Sequence, residues 1–230
     1  MANFILSPAW FLGIDAGFET ITMAVAVLIA LTSFKFYKLS NMKKYYYFGM
    51  AFVLLAAAFA TRVFTNLIIY YNFIEQNSFG VAQAVHKAVG PATNFFSTGL
   101  LGYRLLTLGA LLILYLLLSR KIRTSRSIKS LLVYFVLIAS VFSTQVTLVF
   151  HLTAAAFLFF ISMLTLKKYY QKRAKNAKYT LAAFSMLTIS QLIFIPGIYF
   201  PLAYVVAQVV QLAGFITMLF TFRKVKNAKN

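Results

Sequence analysis

The sequence has no cysteine, and only three of its 230 residues are acidic. Without cysteine the chain can form no disulfide bond, thiol nucleophile, covalent haem link or cysteine metal site. Two of the three carboxylates, Asp15 and Glu19, lie four positions apart in the stretch "FLGIDAGFET", where the sequence turns into a long apolar run. Such scarce charges at the edge of an apolar run require a specific explanation.

The sequence also lacks the residue combinations on which most enzymes and metal sites depend. It has no serine–histidine–acid set, no carboxylates paired across helices and no phosphate-binding loop, so we expect no enzymatic activity. Its two histidines, His86 and His151, have no metal-ligand spacing around them, so we expect neither a metal nor a cofactor. Retinal attachment would need a lysine inside an apolar run, and no run contains one.

Long apolar runs dominate the sequence, since hydrophobic residues make up 62% of it. Most runs supply about 20 residues between charges, the length at which a helix crosses the hydrocarbon core of a membrane. The runs are apolar on every face, whereas the strands of a membrane barrel alternate in polarity. We therefore predict an all-α bundle of seven transmembrane helices in a single membrane domain, with spans at residues 15–34, 46–65, 100–119, 130–145, 147–166, 179–198 and 203–222.

The distribution of positive charge predicts the orientation of these spans. The chain has 22 lysines and arginines against three acidic residues, a net charge of +19. All the basic residues except Arg62, Lys87 and Arg104 follow the first, third, fifth or seventh span. By the positive-inside rule the N-terminus lies outside and the C-terminus inside the cell membrane. The basic loops would then contact anionic lipid headgroups on the inner face, and we expect no nucleic-acid binding.

One long connection, residues 71–94, would lie on the outer side. Apolar residues recur at helical spacing from Phe79 to Val89, and Gly90–Pro91 is a typical stop signal. These features predict an outer loop that carries a short amphipathic helix.

The fourth and fifth spans leave little room for a connection between them. Only 37 residues run from Ser130 to Leu166, fewer than two full crossings and a turn require. The polar turn from Ser143 to Thr147 should therefore lie at or just below the outer interface. A backbone turn at that depth must contact protein or water rather than lipid.

Two lysine-rich segments, residues 37–56 and 169–188, share a tyrosine start and an Ala-Phe pair at a matching offset. Their alignment predicts that spans one to three repeat in parallel as spans five to seven, with the fourth span as a linker. This plan resembles the SWEET sugar transporters in architecture. The residues depart from that family, which kinks its helices with prolines in both repeats, because Pro196 is the only proline inside a predicted span.

Depth along each span explains where the carboxylates lie. A rise of about 1.5 Å per residue places one polar side chain of every span about 18–24 Å from the inner boundary. These seven residues are Glu19, Arg62, Arg104, Gln145, His151, Gln191 and Gln208. Asp15 lies one turn outward from Glu19 on the same helix face. A charge inside a bilayer costs about 2.5–3.5 kcal/mol, so we predict that Glu19 pairs with Arg62 or Arg104.

Two interpretations of this polar layer stay open. In the first, which we favour, it lines an outward-facing pocket for a small anionic or zwitterionic solute that the protein binds or transports. Arg62 and Arg104 would grip the anion, and the other candidate ligand-binding residues are Asp15, Glu19, Gln145, His151, Gln191 and Gln208. In the second, the layer only joins helices, and the protein is a non-transporting sensor or a subunit of a larger membrane complex.

Overall fold

Helices form the regular structure of this chain. The computed structural model describes residues 9–11, 13–78, 85–119, 126–143, 146–172 and 175–227, and within these ranges it contains seven α-helices, one 3₁₀ turn and no β-strand. The side chains of residues 9, 68–96, 126, 172, 175–176 and 224–227 are not described. The 3₁₀ turn is Ala9–Phe11, and the helices are α1 (Ile14–Ser40), α2 (Lys43–Ser78), α3 (Val85–Leu118), α4 (Arg126–Phe142), α5 (Thr147–Lys172), α6 (Lys175–Gly197) and α7 (Pro201–Asn227).

Six of the seven helices are long and apolar enough to cross a membrane. All except α4 contain such a stretch, of 21 to 27 residues, and α4 contributes a shorter apolar helix, Ser127–Phe142. Large side chains such as Leu31, Phe135 and Leu192 are exposed on the helix surfaces, where lipid can cover them. The chain is therefore an all-helical, multi-pass membrane protein, as the sequence predicted.

Each predicted span coincides with one helix, but most helices extend further than the apolar runs. Helix α1, for example, continues from the predicted end at residue 34 to Ser40 and so includes Lys35 and Lys38. A charge ends the stretch that can face hydrocarbon, yet lysine is a good helix former, so the helix continues through it.

The predicted outer loop at residues 71–94 requires correction. Its first part belongs to α2, which reaches Ser78, and its last part belongs to α3, which begins at Val85 and passes through Gly90–Pro91. A proline removes only one helical hydrogen bond, and elongation from the turns on either side can carry a helix through it. The middle of the predicted amphipathic helix, residues 79–84, lies outside the described part of the chain.

Six helices pack in a closed ring. Helix α1 packs on α2 and α2 on α3, while α5 packs on α6 and α6 on α7. Contacts of α3 with α5 and of α7 with α1 close the ring. Helix α4 packs mainly against α3 and α5 in the described residues, so it lies beside the ring rather than within it. We call the end of the ring at which α1 begins the upper end.

Aromatic side chains fill the lower part of the ring. Phe48 and Phe52 of α2 are stacked, with ring centroids 4.8 Å apart. Phe215 of α7 packs edge-on against Phe52 at 6.4 Å and against Phe59 at 5.5 Å, and Phe222 lies 4.9 Å from Phe48. These contacts join α2 to α7 across the ring and make an apolar core below the polar side chains described next.

A two-residue connection sets α1 and α2 side by side. Asn41, at φ 55°, is the only non-glycine residue with positive φ in the described chain. Its backbone N–H donates to the Tyr37 carbonyl at 2.8 Å, which closes the end of α1. Asparagine tolerates the left-handed conformation better than most residues, so it suits this position. The tight turn brings the lower end of α2 directly beside that of α1.

Candidate functional site

Glu19 of α1 and Arg62 of α2 form an ion pair near the upper end of the ring. Arg62 Nε lies 2.7 Å from Glu19 Oε1, and the two side chains are 13% and 1% exposed, respectively. Asn66 Nδ2 donates to Glu19 Oε2 at 3.0 Å, and Gln208 Nε2 donates to Glu19 Oε1 at 3.4 Å. Both carboxylate oxygens therefore have partners, and of the two arginines suggested by the sequence, Arg62 is the one that pairs with Glu19.

The two remaining nitrogens of the Arg62 guanidinium bind tyrosines. Nη1 donates to the hydroxyl of Tyr103 at 3.2 Å, and Nη2 donates to that of Tyr204 at 2.9 Å. The guanidinium also lies 5.1 Å from the centre of the Tyr103 ring, and Gln208 Nε2 donates to the Tyr204 hydroxyl at 3.1 Å. These contacts tie together α1, α2, α3 and α7. We call this group the Glu19–Arg62 network: Glu19, Arg62, Asn66, Tyr103, Tyr204 and Gln208.

Arg104 of α3 binds a different part of the bundle. Its Nη1 donates to the backbone carbonyl of Ser143, just after α4, and its Nη2 donates to Thr147 Oγ1 at 3.1 Å, at the start of α5. The guanidinium lies 5.8 Å from the centre of the Phe150 ring. Carbonyls at the end of a helix lack intrahelical partners and carry partial negative charge, so an arginine is well suited to bind one. The predicted polar turn thus has protein contact through Arg104.

The charge of Arg104 has no acidic partner among the described side chains. The residue is only 4% exposed, and no described carboxylate lies within 4.0 Å of its nitrogens. The two hydrogen bonds that it donates to described residues go to neutral oxygens, and a guanidinium has five N–H donors. Arg104 therefore contributes a buried positive charge that the neighbouring described residues do not neutralise.

His151 and Gln191 form a third polar contact, between α5 and α6. His151 Nδ1 lies 2.9 Å from Gln191 Oε1, and both residues are 6% exposed. The imidazole also stacks on Phe194, with ring centroids 5.0 Å apart, and Phe194 packs against Tyr204 of the Glu19–Arg62 network at 5.6 Å. An amide oxygen can only accept, so Nδ1 carries the proton in this arrangement.

Asp15 binds backbone amides at the start of α1. Its Oδ1 accepts hydrogen bonds from the backbone N–H groups of Gly13 at 3.1 Å and Ala16 at 2.8 Å. Asp15 lies in the first turn of α1, where a carboxylate stabilises the unpaired amides and the positive end of the helix dipole. Glu19 thus pairs with Arg62, and Asp15 binds amides at the start of its own helix; the pairing of Asp15 with an arginine stays a prediction.

The structure divides most residues of the predicted layer among three separate groups of contacts. Glu19, Arg62 and Gln208 share one network, Arg104 lies at the α4–α5 connection, and His151 meets Gln191. Gln145, which the sequence placed in the same layer, lies outside the described residues.

Sequence reasoning missed the neutral partners of these groups. Asn66 lies one helical turn from Arg62, and Tyr204 lies one turn from Gln208. That four-residue spacing was the available signal, because it puts two side chains on one helix face. Gln211, three residues after Gln208, lies on the same face of α7 and carries the same kind of signal.

Among the described residues, no group of three or more histidine, aspartate or glutamate side chains is arranged to hold a metal ion.

Comparisons with models of protein families, with curated proteins and with solved structures found no match to this chain. Any functional assignment therefore depends on the site itself.

Proposed function

We propose that the chain crosses the cell membrane seven times, with its N-terminus and the upper end of the ring outside. The basic residues that follow alternate spans support this orientation, since they would all face the cytoplasm and its anionic lipid headgroups. The position of α4 beside a ring built from α1–α3 and α5–α7 is what a linker between two parallel repeats would have. We therefore also propose that α1–α3 and α5–α7 are two parallel repeats joined by α4.

Within this frame we infer that the protein is not an enzyme and that it binds or transports a small anionic or zwitterionic solute near the outer end. One observation carries the proposal: the Arg104 guanidinium is buried, and no described carboxylate lies within ion-pair distance of it. A buried charge without a counterion is strongly destabilising, and a bound anion would supply that counterion. Carboxylate and phosphate groups fit best, because a guanidinium binds them through two parallel hydrogen bonds.

The other candidate residues have supporting parts in this proposal. The charge of Arg62 is balanced by Glu19, and its three nitrogens have partners, so Arg62 positions helices rather than gripping the solute. His151 reaches the site of Arg104 through Phe150, whose ring contacts both the imidazole and the guanidinium. The remaining candidates are Asp15, Gln191 and Gln208, together with Gln145, which lies outside the described residues.

A second candidate function is that of a non-transporting sensor or a subunit of a larger membrane complex. The aromatic contacts among Phe48, Phe52, Phe59 and Phe215 favour it, because they fill the lower part of the ring where a transport path would have to continue. In that case the Glu19–Arg62 network serves helix packing alone.

Thermal unfolding of the protein in lipid nanodiscs tests the proposal. Phosphate, acetate, glycine and phosphocholine are added one at a time, and we expect at least one of them to raise the unfolding temperature. Arg104→Gln should abolish that rise, because it removes the cation that binds the anion. Arg223→Gln, which neutralises an exposed arginine near the end of α7, should leave it unchanged. The proposal fails if Arg104→Gln keeps the response or if no anion gives one.

Two further measurements separate the candidate functions. A flux of the stabilising anion into proteoliposomes, lost in Arg104→Gln, would identify a transporter. Binding without flux, together with a stoichiometric protein that purifies with the chain, would identify a sensor or subunit.

A further inference from the structure

Gln211 is the one residue among those described with a buried side-chain oxygen or nitrogen that lacks a hydrogen-bond partner. The atom is its amide oxygen, Oε1, and the residue is 5% exposed. An acceptor that loses its hydrogen bonds to water on burial and gains none in return destabilises a fold. The position of Gln211 therefore has to be explained by something that donates to it.

Gln211 lies at the boundary between the polar and the aromatic parts of the ring. It follows Gln208 by three residues and precedes Phe215 by four, so the three side chains share one face of α7. Gln208 contacts Glu19, whereas Phe215 packs against Phe52 and Phe59. Eleven residues separate Gln211 from Phe222, which places it about 16 Å above the lower end of the apolar segment.

The surroundings indicate the direction from which a donor can reach Gln211. Below it the same face continues with Phe215 and Met218, which are 3% and 0% exposed. Above it lies the Glu19–Arg62 network, in which the Arg62 side chain is 13% exposed. Polar side chains therefore lie on the upper side of Gln211 and apolar ones on its lower side, so the upper side is the direction from which a donor such as water would come.

We propose that Gln211 forms the floor of a water-filled recess that descends from the upper end of the ring past Arg62 and Gln208. Its amide oxygen accepts a hydrogen bond from water held in that recess, as buried polar groups in proteins commonly do. The recess goes beyond the anion site proposed above, because it requires no bound solute and is compatible with either candidate function.

Thr22 of α1 offers a second position at the same depth. Helices α1 and α7 both start at the upper end, and Phe11 contacts Tyr204 while Glu19 contacts Gln208. The two helices are therefore parallel, and Thr22, three residues after Glu19, lies one turn below the network as Gln211 does. Thr22 is 2% exposed, and its replacement by cysteine changes its size little.

The absence of native cysteine makes the recess directly testable. Gln211→Cys, Thr22→Cys and Met218→Cys are made separately, reconstituted in nanodiscs and treated with a small anionic thiosulfonate that does not enter lipid. We expect the first two to react at least about tenfold faster than Met218→Cys. The cysteine thiolate attacks the thiosulfonate sulfur and displaces sulfinate, and the thiolate forms only where water surrounds the cysteine sulfur. Tyr199→Cys, at a residue 77% exposed between α6 and α7, gives the rate of an open site.

The order of rates decides the outcome. Met218 lies nearer than Gln211 to the lower end, so a reagent that entered from below would label Met218→Cys first. The proposal is overturned if Met218→Cys reacts as fast as Gln211→Cys and Thr22→Cys, or if none of the three reacts. Thr22→Cys keeps the test decisive should Gln211→Cys fail to fold.

Discussion

The Glu19–Arg62 ion pair joins two side chains of opposite charge that are largely buried. Removing one member of a buried pair leaves the other charge uncompensated, which typically destabilises a protein by about 3–5 kcal/mol. We therefore expect Arg62→Met to lower the free energy of unfolding by about that amount. Glu19→Gln, added to Arg62→Met, should recover part of the loss, since it removes the unpaired carboxylate while keeping an acceptor for Asn66.

Denaturation in mixed micelles, followed by circular dichroism, measures these changes. Arg223→Met serves as the control, because Arg223 is exposed and its substitution should change stability by less than about 0.5 kcal/mol. Additive losses in Glu19→Gln/Arg62→Met would contradict the prediction, since they would mean that the two charges do not stabilise each other.

Sequence reasoning found the right height for these groups but not their directions around each helix. Counting residues along the spans put Glu19, Arg62 and Arg104 at similar depth. It could not tell which arginine faces α1, because that depends on the rotation of each helix and on the order of helices in the ring. Asp15 shows a further gap, since the sequence did not indicate that a carboxylate in the first turn of this helix binds backbone amides.

Close packing of α2 against α3 depends on Gly99. A Cβ atom at this position would collide with Oγ1 of Thr65 and would lie 3.3 Å from both its Cβ and its Cγ2. Thr65 has little freedom to move away, because it is β-branched and its hydroxyl donates to the Thr61 carbonyl at 2.7 Å. We expect Gly99→Ala to destabilise the protein by about 1–3 kcal/mol, the usual effect of overpacking.

Gly109 of the same helix provides the matched control. A Cβ atom there meets nothing within 4 Å, so Gly109→Ala should raise stability by about 0.5–1 kcal/mol through helix propensity alone. Thr65→Ala should relieve the clash in Gly99→Ala, because it removes Oγ1 and Cγ2. Thermal unfolding of Gly99→Ala, Gly109→Ala, Thr65→Ala and the double variant Thr65→Ala/Gly99→Ala measures the effect. Equal stability of Gly99→Ala and Gly109→Ala would refute the contact between Gly99 and Thr65.

Helix number and position were predictable for a simple physical reason. Inside lipid the backbone N–H and C=O groups must hydrogen-bond within the segment itself, which a helix allows. A long apolar run between charges therefore identifies a helix without any knowledge of its neighbours. The ends were less predictable. Helix α2 extends to Ser78 and α3 begins at Val85, so both helices include residues that the sequence predicted to be a loop. Beyond the hydrocarbon core, hydropathy no longer distinguishes helix from connection.

The ring gives α4 an unusual place in the molecule. Its 17 residues span about 26 Å, less than the hydrocarbon thickness of about 30 Å. It packs mainly against α3 and α5 in the described residues, and Arg104 binds the Ser143 carbonyl just beyond its last residue. These features leave the count of crossings, and hence the side on which the C-terminus lies, dependent on whether this short helix spans the membrane.

The chain has no native cysteine, so single cysteines introduced at the two ends of α4 can show whether α4 crosses the membrane. Ser127 and Val146 are both exposed, one at the start of α4 and the other just before α5. If α4 crosses and the upper end faces outward, an impermeant thiol reagent should label Val146→Cys in intact cells. It should label Ser127→Cys only after the membrane is permeabilised, because Ser127 then lies with the basic residues on the inner face. If neither is labelled until the membrane is permeabilised, α4 does not cross, and the three crossings of α5, α6 and α7 would then place the C-terminus on the outer side.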